Sequence, residues 1–311
     1  MNGSGCIMTN ELNRRSFLKR TGQTGSLVLA GSLLPTVLAA CGGNISNAPA
    51  AGAKIESKGL KTAGVLQWGA TAENGAPYVY QNPDGSGLIG FEQEIADAIA
   101  KLMGISQKHV ETDYAQMEQA LQAGNFDVVI NGWEATEDRQ KTEIFTQSYY
   151  HYGQQIVVRT NDPRFANKTQ DDTLSLTDLH GYKVGTGAGF KAETLLADDK
   201  AITLQSYDPD LPFNDLALGR IDAVLIDLPT VAYFVQGAGP GGQKNKDLKL
   251  IGKPFALGDY VIGLNKSNPN AETLRKELDQ ALTELKSNGT LRQIYQKWNL
   301  WNDQQAAIGI K

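Results

Sequence analysis

A glycine-rich turn at residues 185–189 (Gly-Thr-Gly-Ala-Gly) is the first segment whose residue types suggest a chemical role. The turn follows a predicted strand and precedes a predicted helix, an arrangement in which successive backbone amides can bind an anion. No Lys-Ser or Lys-Thr pair follows it, and the glycine spacing of a dinucleotide-binding loop is incomplete. The turn therefore predicts an anion-binding loop, but neither a Walker A loop nor a dinucleotide site.

The three histidines, His109, His151 and His180, are scattered along the chain without the paired spacing of metal ligands. No Ser-His-Asp order and no Cys-His pair stands out either. We therefore expect no metal, no cofactor and no catalytic triad. The histidines are expected to lie on the surface.

The first forty residues have the three-part layout of a signal peptide. An apolar stretch from Leu27 to Ala40 follows a basic stretch, and residues 13–19 (Asn-Arg-Arg-Ser-Phe-Leu-Lys) resemble a twin-arginine export motif. Residues 38–41 (Leu-Ala-Ala-Cys) resemble a bacterial lipobox. The sequence thus predicts cleavage after residue 40, lipidation of Cys41 and a flexible tether over residues 41–59, whereas the export route stays open.

Composition and charge indicate a globular chain. The 311 residues are 41% apolar and 20% charged, and the formal net charge is −5. Residues 1–40 carry +3, so the remainder carries −8. An acidic chain without a basic stripe argues against nucleic-acid binding. Because Cys6 lies in the predicted signal peptide, no disulfide is expected in the mature protein.

From residue 60 onward, apolar runs of strand length alternate with helical patterns, which is typical of α/β units. Helices are predicted at 91–103, around 117–121, at 136–144 with Thr136 as the N-cap, and at 190–196, 213–218 and 271–286. Strands are predicted at 65–68, near 110, and at 127–130, 154–159, 183–185, 202–206, 223–226, 248–251 and 260–264. The pattern restarts after a polar loop at 161–173, which indicates a second lobe.

Four segments in this order resemble the bilobed periplasmic binding proteins for polar amino acids. They are residues 90–96 (Gly-Phe-Glu-Gln-Glu-Ile-Ala), 131–139 (Asn-Gly-Trp-Glu-Ala-Thr-Glu-Asp-Arg), 219–227 (Gly-Arg-Ile-Asp-Ala-Val-Leu-Ile-Asp) and 288–298. The resemblance covers about residues 60 to 300. It implies the type II fold, in which two α/β lobes are joined by two hinge strands and close around the solute.

The resemblance also implies which residues hold a ligand. A zwitterionic amino acid needs a cation for its carboxylate and an anion for its ammonium, because desolvating either charge unpaired is costly. Arg139 matches the family's carboxylate-binding arginine, and Asp227 matches its ammonium acceptor. Asp227 could instead cap the next helix, or do both. Gly132 would present backbone to the ligand, and Gly189 belongs to the turn that supplies amides to the carboxylate.

The sequence departs from the family pattern at two cleft positions. Phe190 and Glu134 each stand where the family usually has threonine or serine. Phe190 suggests an aromatic wall of the cleft. Glu134, with Glu73 after the first strand, points to a cationic or amine-bearing ligand, although Glu134 could instead pair with Arg139. Trp133, Tyr78 and Trp68 are candidate aromatic walls, and Trp68 could equally be core.

Taken together, the residues and the resemblance predict a binding protein of an ABC importer for an amino acid with a cationic or polar side chain. It is expected to be an exported monomer, lipid-anchored on the outer face of the cytoplasmic membrane or in the periplasm, with a permease as partner. The predicted lobes are residues 60–153 with 254–301, and residues 154–253, followed by a polar tail at 302–311. Alternatives are a cyclohexadienyl-dehydratase-like enzyme, with Glu73, Glu134 or Glu193 as the acid, and a sensory module.

Overall fold

The computed structural model describes residues 57–208 and 211–311. The predicted signal peptide, the twin-arginine motif and Cys41 lie outside these residues. Within them, no helix is both long and apolar enough to cross a membrane.

The described residues form twelve strands and nine α-helices. The strands are β1 (Val65–Ala70), β2 (Tyr80–Gln81), β3 (Leu88–Ile89), β4 (Ser106–Glu111), β5 (Val128–Val129), β6 (Glu143–Phe145), β7 (Tyr150–Arg159), β8 (Lys183–Gly187), β9 (Thr203–Tyr207), β10 (Ala223–Asp227), β11 (Leu248–Tyr260) and β12 (Gly263–Asn265). The helices are α1 (Phe91–Met103), α2 (Met117–Gln122), α3 (Arg139–Thr142), α4 (Lys191–Asp198), α5 (Phe213–Ala217), α6 (Leu228–Phe234), α7 (Ala271–Ser287), α8 (Thr290–Lys297) and α9 (Gln304–Ala307).

Two mixed five-stranded sheets define two lobes. The sheet of lobe 1 has the order β4-β1-β5-β12-β6, and that of lobe 2 has the order β11-β7-β10-β8-β9. In lobe 1, β1 runs parallel to β4 and β5, and in lobe 2, β8 runs parallel to β9 and β10. Since the carboxyl ends of parallel strands meet at one edge of a sheet, the loops that follow β1, β5, β8 and β10 are positioned to form a site.

Helix α1 shows how the sequence pattern produces these lobes. Phe91, Ile95 and Ile99 recur on one face and are fully buried against the lobe 1 sheet. Gly104 ends the helix in the left-handed conformation, with φ 68°, and its N–H donates to the carbonyls of Ala100 and Lys101. The helix end predicted at Gly104 is confirmed.

The hinge consists of the two long antiparallel strands β7 and β11. Their register shifts between Ile251 and Phe255 and again between Phe255 and Gly258. Separate strands were predicted at 248–251 and 260–264, and this prediction is wrong: one strand continues to Tyr260, and β12 begins at Gly263. Phe255, Gly258 and Asp259 lie between the two predicted strands, and each of them pairs with a residue of β7.

The helix predicted at 136–144 is much shorter. Thr136 Oγ1 does accept a hydrogen bond from Arg139 N at 3.3 Å, but the helix covers only Arg139–Thr142. The next three residues form β6, which pairs with β12. Strand pairing in the sheet therefore overrides the helical pattern of the sequence.

Both ends of the described body are fixed by contacts. Ser57 is buried and accepts a hydrogen bond from Gly59 N at 3.2 Å, so the end of the predicted tether lies on the protein. The predicted polar tail contains α9, whose Gln305 is fully buried. The Gln305 amide accepts from His151 N at 2.9 Å and donates to His151 O at 2.6 Å. These bonds attach α9 to hinge strand β7.

Candidate functional site

A cavity of about 100 Å³ lies between the two lobes. Lobe 1 contributes Thr71, Glu73, Tyr78, Tyr114, Asn131, Gly132 and Glu134, and lobe 2 contributes Gly187, Phe190, Lys191, Tyr207, Asp227 and Thr230. Most of these residues follow the carboxyl ends of strands β1, β5, β8 and β10. A solute in this cavity would contact both lobes at once.

The structure brings five of the predicted site residues to this cavity: Glu73, Gly132, Glu134, Phe190 and Asp227. The other three, Trp133, Arg139 and Gly189, are close by but not part of its lining. The cavity thus has acidic groups from both lobes on its surface.

Asp227 is the buried acid of lobe 2. It occupies the N-cap position of α6, yet its side chain makes no capping hydrogen bond. Instead, Oδ1 accepts from Gln154 Nε2 at 2.5 Å, and Oδ2 accepts from the Tyr260 hydroxyl. Burial raises the pKa of Asp227 to about 6, although both hydrogen bonds favour the ionised form. The hinge strands therefore hold this carboxylate in the cavity and away from the helix amides.

Glu134 is the corresponding acid of lobe 1. Its carboxylate accepts a hydrogen bond from the hydroxyl of Tyr152 on β7. Burial, followed by repulsion from Asp227, raises the pKa of Glu134 to about 8, against the opposing effect of Arg139 and Lys191. Among the described residues, the Glu134 carboxylate and the Arg139 guanidinium do not form the ion pair that the sequence left open. Instead, Arg139 Nη1 donates to the Glu134 backbone carbonyl at 3.2 Å.

Arg139 is adjacent to Glu134 but is not part of the cavity lining. Its guanidinium is 3.3 Å from the centroid of the Trp133 ring, a cation–π contact. Trp133 is buried, and its indole N–H donates to Glu143 Oε2 at 2.8 Å. Trp133 was a candidate aromatic wall. This prediction is wrong because the ring is buried, does not line the cavity and contacts the Arg139 guanidinium. Trp68 is likewise core, being fully buried with its N–H bonded to Gln107 at 2.6 Å.

The glycine-rich turn has no free amides for an anion at three successive positions. Ala188 N donates to Tyr207 O at 2.8 Å, Gly189 N to Glu193 Oε2 at 2.6 Å, and Phe190 N to Gly187 O at 3.3 Å. The anion-binding loop predicted here is therefore wrong for these amides. Gly189 has φ +76°, a backbone conformation that favours glycine. A glycine is therefore needed at this position for the shape of the turn.

Aromatic rings form the walls of the cavity. The Phe190 ring contacts the Tyr114 ring edge-on across the lobes, with centroids 5.5 Å apart. Tyr78 donates to or accepts from Tyr260, with the two hydroxyls 2.9 Å apart. Phe190 and Tyr78 both belong to the cavity lining, and their role as aromatic walls around a ligand stays a prediction.

Gly132 and Glu73 occupy opposite environments. Gly132 is buried with φ +57°, and its N–H donates to Glu92 Oε1 at 2.7 Å, so this amide is already satisfied. A Cβ at this position would lie 3.1 Å from the Tyr78 ring. Glu73 is exposed at the cavity rim. Solvent screening will weaken its effect on a ligand relative to that of Glu134.

The sequence pattern missed several residues around the cavity. Lys191 follows Phe190 directly, but nothing in its neighbours distinguishes it from a surface lysine at a helix start. Tyr152, Tyr260 and Gln154 lie on the hinge strands and contact the two acids. Their roles depend on the pairing of β7 with β11, which only the fold reveals.

The histidines do not form a site. His109 was expected on the surface, and this prediction is wrong: its ring packs edge-on against Trp68, and Nε2 lies 3.0 Å from Ala70 O. His151 and His180 pair with Asp259 and Asp199 at 2.8 and 2.9 Å. Residues 57–208 and 211–311 contain no group of three His, Cys, Asp or Glu side chains placed to hold a metal ion.

Comparison with known proteins decides the family. Residues 69–300 match the model for bacterial extracellular solute-binding proteins, family 3. The chain belongs to this family. The L-cystine-binding protein TcyJ of Escherichia coli (strain K12) is 32% identical over 224 residues, which cover 71% of this chain and 78% of that protein. The ABC transporter glutamine-binding protein GlnH of Bacillus subtilis (strain 168) is 26% identical over 278 residues, covering 88% and 96%.

Among solved structures, an ancestral arginine-binding protein bound to arginine superposes with a TM-score of 0.63 at 32% identity, covering 76% of this chain and 98% of that one. The expected two-lobed α/β fold is confirmed. TcyJ is named as a binding protein for L-cystine, and GlnH as a glutamine-binding protein of an ABC transporter. As a member of family 3, this chain is a solute-binding protein. As a member of an extracellular family, it acts outside the cytoplasm.

Proposed function

We propose that this family 3 protein captures one amino acid with a polar or cationic side chain and delivers it to the permease of an ABC importer. The observation that carries the proposal is the cavity between the lobes, which half-buried Glu134 lines from lobe 1 and buried Asp227 lines from lobe 2. A solute held by both lobes stabilises their closed arrangement, and closure is the signal that a permease can read.

The α-ammonium of the ligand is proposed to bind Asp227. Tyr260 and Gln154 orient this carboxylate, and an ammonium adds the positive partner that a buried carboxylate lacks in the empty site. Arg139 is the proposed partner of the ligand carboxylate in lobe 1. The Trp133 platform fixes its guanidinium plane beside the cavity.

The side chain of the ligand is proposed to lie toward Glu134 and Glu73. Two acids favour a cationic or hydrogen-bonding group and disfavour an acidic one. The named relatives bind cystine, glutamine and arginine, all of which are polar. Phe190 and Tyr114 then supply the apolar contact for the aliphatic part of such a side chain.

A thermal-shift screen of the domain from residue 57 onward tests this function. We expect arginine, glutamine, histidine or cystine at about 100 times its dissociation constant to stabilise the fold by about 2.7 kcal/mol. For a chain of this size, that corresponds to a rise in melting temperature of roughly 5–10 °C. Leucine and glutamate serve as controls and should cause a smaller rise. If no amino acid raises the melting temperature, amino-acid binding is contradicted.

A lipid anchor at Cys41 is proposed to hold a monomeric protein at the outer face of the cytoplasmic membrane, close to its permease. Residues 38–41 (Leu-Ala-Ala-Cys) after the apolar stretch support this proposal. We expect Cys41→Ser to shift the protein from the membrane fraction to the soluble fraction, since one thioether carries the anchor. Mass spectrometry of the mature N-terminus is the direct measurement. A diacylated species in Cys41→Ser would contradict the assignment, and Cys6→Ser is the matched control.

A further inference from the structure

The cavity carries a lysine that neither the sequence pattern nor the proposed function uses. Of the described residues that line it, Glu73, Asp113, Glu134, Asp208 and Asp227 are acidic and Lys191 is the one cation. A ligand carboxylate that enters such a cavity is repelled by the acids unless a cation pairs with it. Lys191 is the cation at the surface that the ligand touches.

Arg139 alone does not supply the cation that a ligand carboxylate needs on the lobe 2 side of the cavity. Its guanidinium carbon is 3.3 Å from the centroid of the Trp133 ring, and Nη1 donates to the Glu134 carbonyl. Arg139 belongs to lobe 1 and is not part of the cavity lining. A carboxylate bound by Arg139 alone would therefore have no cationic partner in lobe 2.

Hydrogen bonds of Glu193 hold the turn that precedes Lys191. Lys191 is the first residue of α4, directly after the glycine-rich turn. Glu193 fixes that turn through Gly189 N at 2.6 Å and Ser206 Oγ at 2.5 Å. Among the described residues, the Lys191 ammonium forms no hydrogen bond and no ion pair within 4 Å. It is therefore available to a ligand in the cavity.

We propose that Lys191 binds the carboxylate of the amino-acid ligand from lobe 2, opposite Arg139 in lobe 1. This inference rests on the proposed amino-acid function and deepens it. A carboxylate that contacts Arg139 of lobe 1 and Lys191 of lobe 2 at the same time links the two lobes. Three donors on Lys191 and five on Arg139 are ample for the lone pairs of one carboxylate.

The competing role for Lys191 is a pairing with Glu134 across the cavity. The two groups are close enough that Lys191 opposes the rise in the Glu134 pKa caused by burial and by Asp227. The Tyr152 hydroxyl donates to the same carboxyl, and Arg139 lowers its pKa through charge. Tyr114 is near it. A role through Glu134 would act on every ligand, whether or not it has a carboxylate. That difference separates the two roles experimentally.

The experiment compares Lys191→Met with the parent protein against pairs of probes that differ only in the carboxylate. The pairs are arginine with agmatine, histidine with histamine, and glutamine with 4-aminobutanamide, of which the pair containing the best-bound amino acid is used. Calorimetry should show that Lys191→Met weakens the amino acid at least about 30-fold. The decarboxylated probe should bind Lys191→Met as well as it binds the parent, or more tightly, because a like charge has been removed.

Two further variants complete the design. Lys191→Arg keeps the charge and should retain binding of the amino acid within about tenfold. Lys200→Met, at an exposed lysine of lobe 2 outside the cavity and the hinge strands, should change nothing. Equal weakening of both probes, or unchanged affinity for the amino acid in Lys191→Met, overturns the inference while leaving the proposed function in place. Failure of the parent protein to bind any amino acid overturns both.

Discussion

Asp227→Asn is expected to lower the affinity for the amino-acid ligand roughly 30- to several-thousand-fold while the protein remains folded. The substitution keeps the shape of the side chain but removes the negative charge opposite the ligand ammonium. The buried ammonium would then lack a charge partner, at a cost of about 2–5 kcal/mol. Isothermal titration calorimetry with the best amino acid from the thermal-shift screen measures the loss.

Two controls make the Asp227 result interpretable. Asp171→Asn changes an exposed aspartate of lobe 2 and should bind as the parent does. The melting temperature of ligand-free Asp227→Asn should be equal to or above that of the parent, because burial disfavours the ionised carboxyl and raises its pKa to about 6. Parent-like affinity in Asp227→Asn would remove this residue from the site.

The α/β lobes could be predicted because their signals are local. The buried face of α1 repeats at helical spacing, and residues 223–226 form an uninterrupted apolar run that becomes β10. These patterns depend on burial by one neighbouring layer, which the sequence encodes directly. The mixed pairing of the sheets was not encoded in this way, because β12 and β6 join lobe 1 from distant parts of the chain.

The site could be predicted only in part, for a physical reason. Glu134 and Asp227 follow strands, so their place at a sheet edge is implied by the order of elements. The orientation of Arg139 depends on the Trp133 ring, and the bonds that hold the two acids depend on how β7 and β11 pair. Long-range pairing sets these contacts, and no local pattern reports it.

The hinge strands link the two acids physically. Tyr152 on β7 and Tyr260 on β11 stack face to face, with ring centroids 4.4 Å apart and planes at 12°. The Tyr152 hydroxyl donates to Glu134, and the Tyr260 hydroxyl donates to Asp227. The carboxylates of both lobes are thus attached to one aromatic pair at the hinge.

Glu134 should make the preference for cationic ligands depend on pH. Burial and Asp227 raise its pKa to about 8, so near pH 7 the empty cavity holds mostly the neutral carboxyl. A cationic side chain binds the ionised form, and its binding therefore expels a proton. Affinity for arginine relative to glutamine should rise as the pH increases from 6 to 8, by up to about tenfold per pH unit.

The arginine-to-glutamine ratio isolates Glu134, because both ligands share the ammonium that binds Asp227. Calorimetry at pH 6, 7 and 8 should show this ratio rising for the parent protein and staying flat for Glu134→Gln. Glu73→Gln is the comparison variant: its carboxylate is exposed at the rim, and we expect it to leave most of the slope intact. A ratio that does not change with pH, or tighter binding of glutamate than of arginine, would show that Glu134 does not select the charge of the ligand. The site would then recognise the amino-acid head group through Asp227 and its cationic partners alone, with side-chain choice left to the aromatic walls of Phe190 and Tyr114.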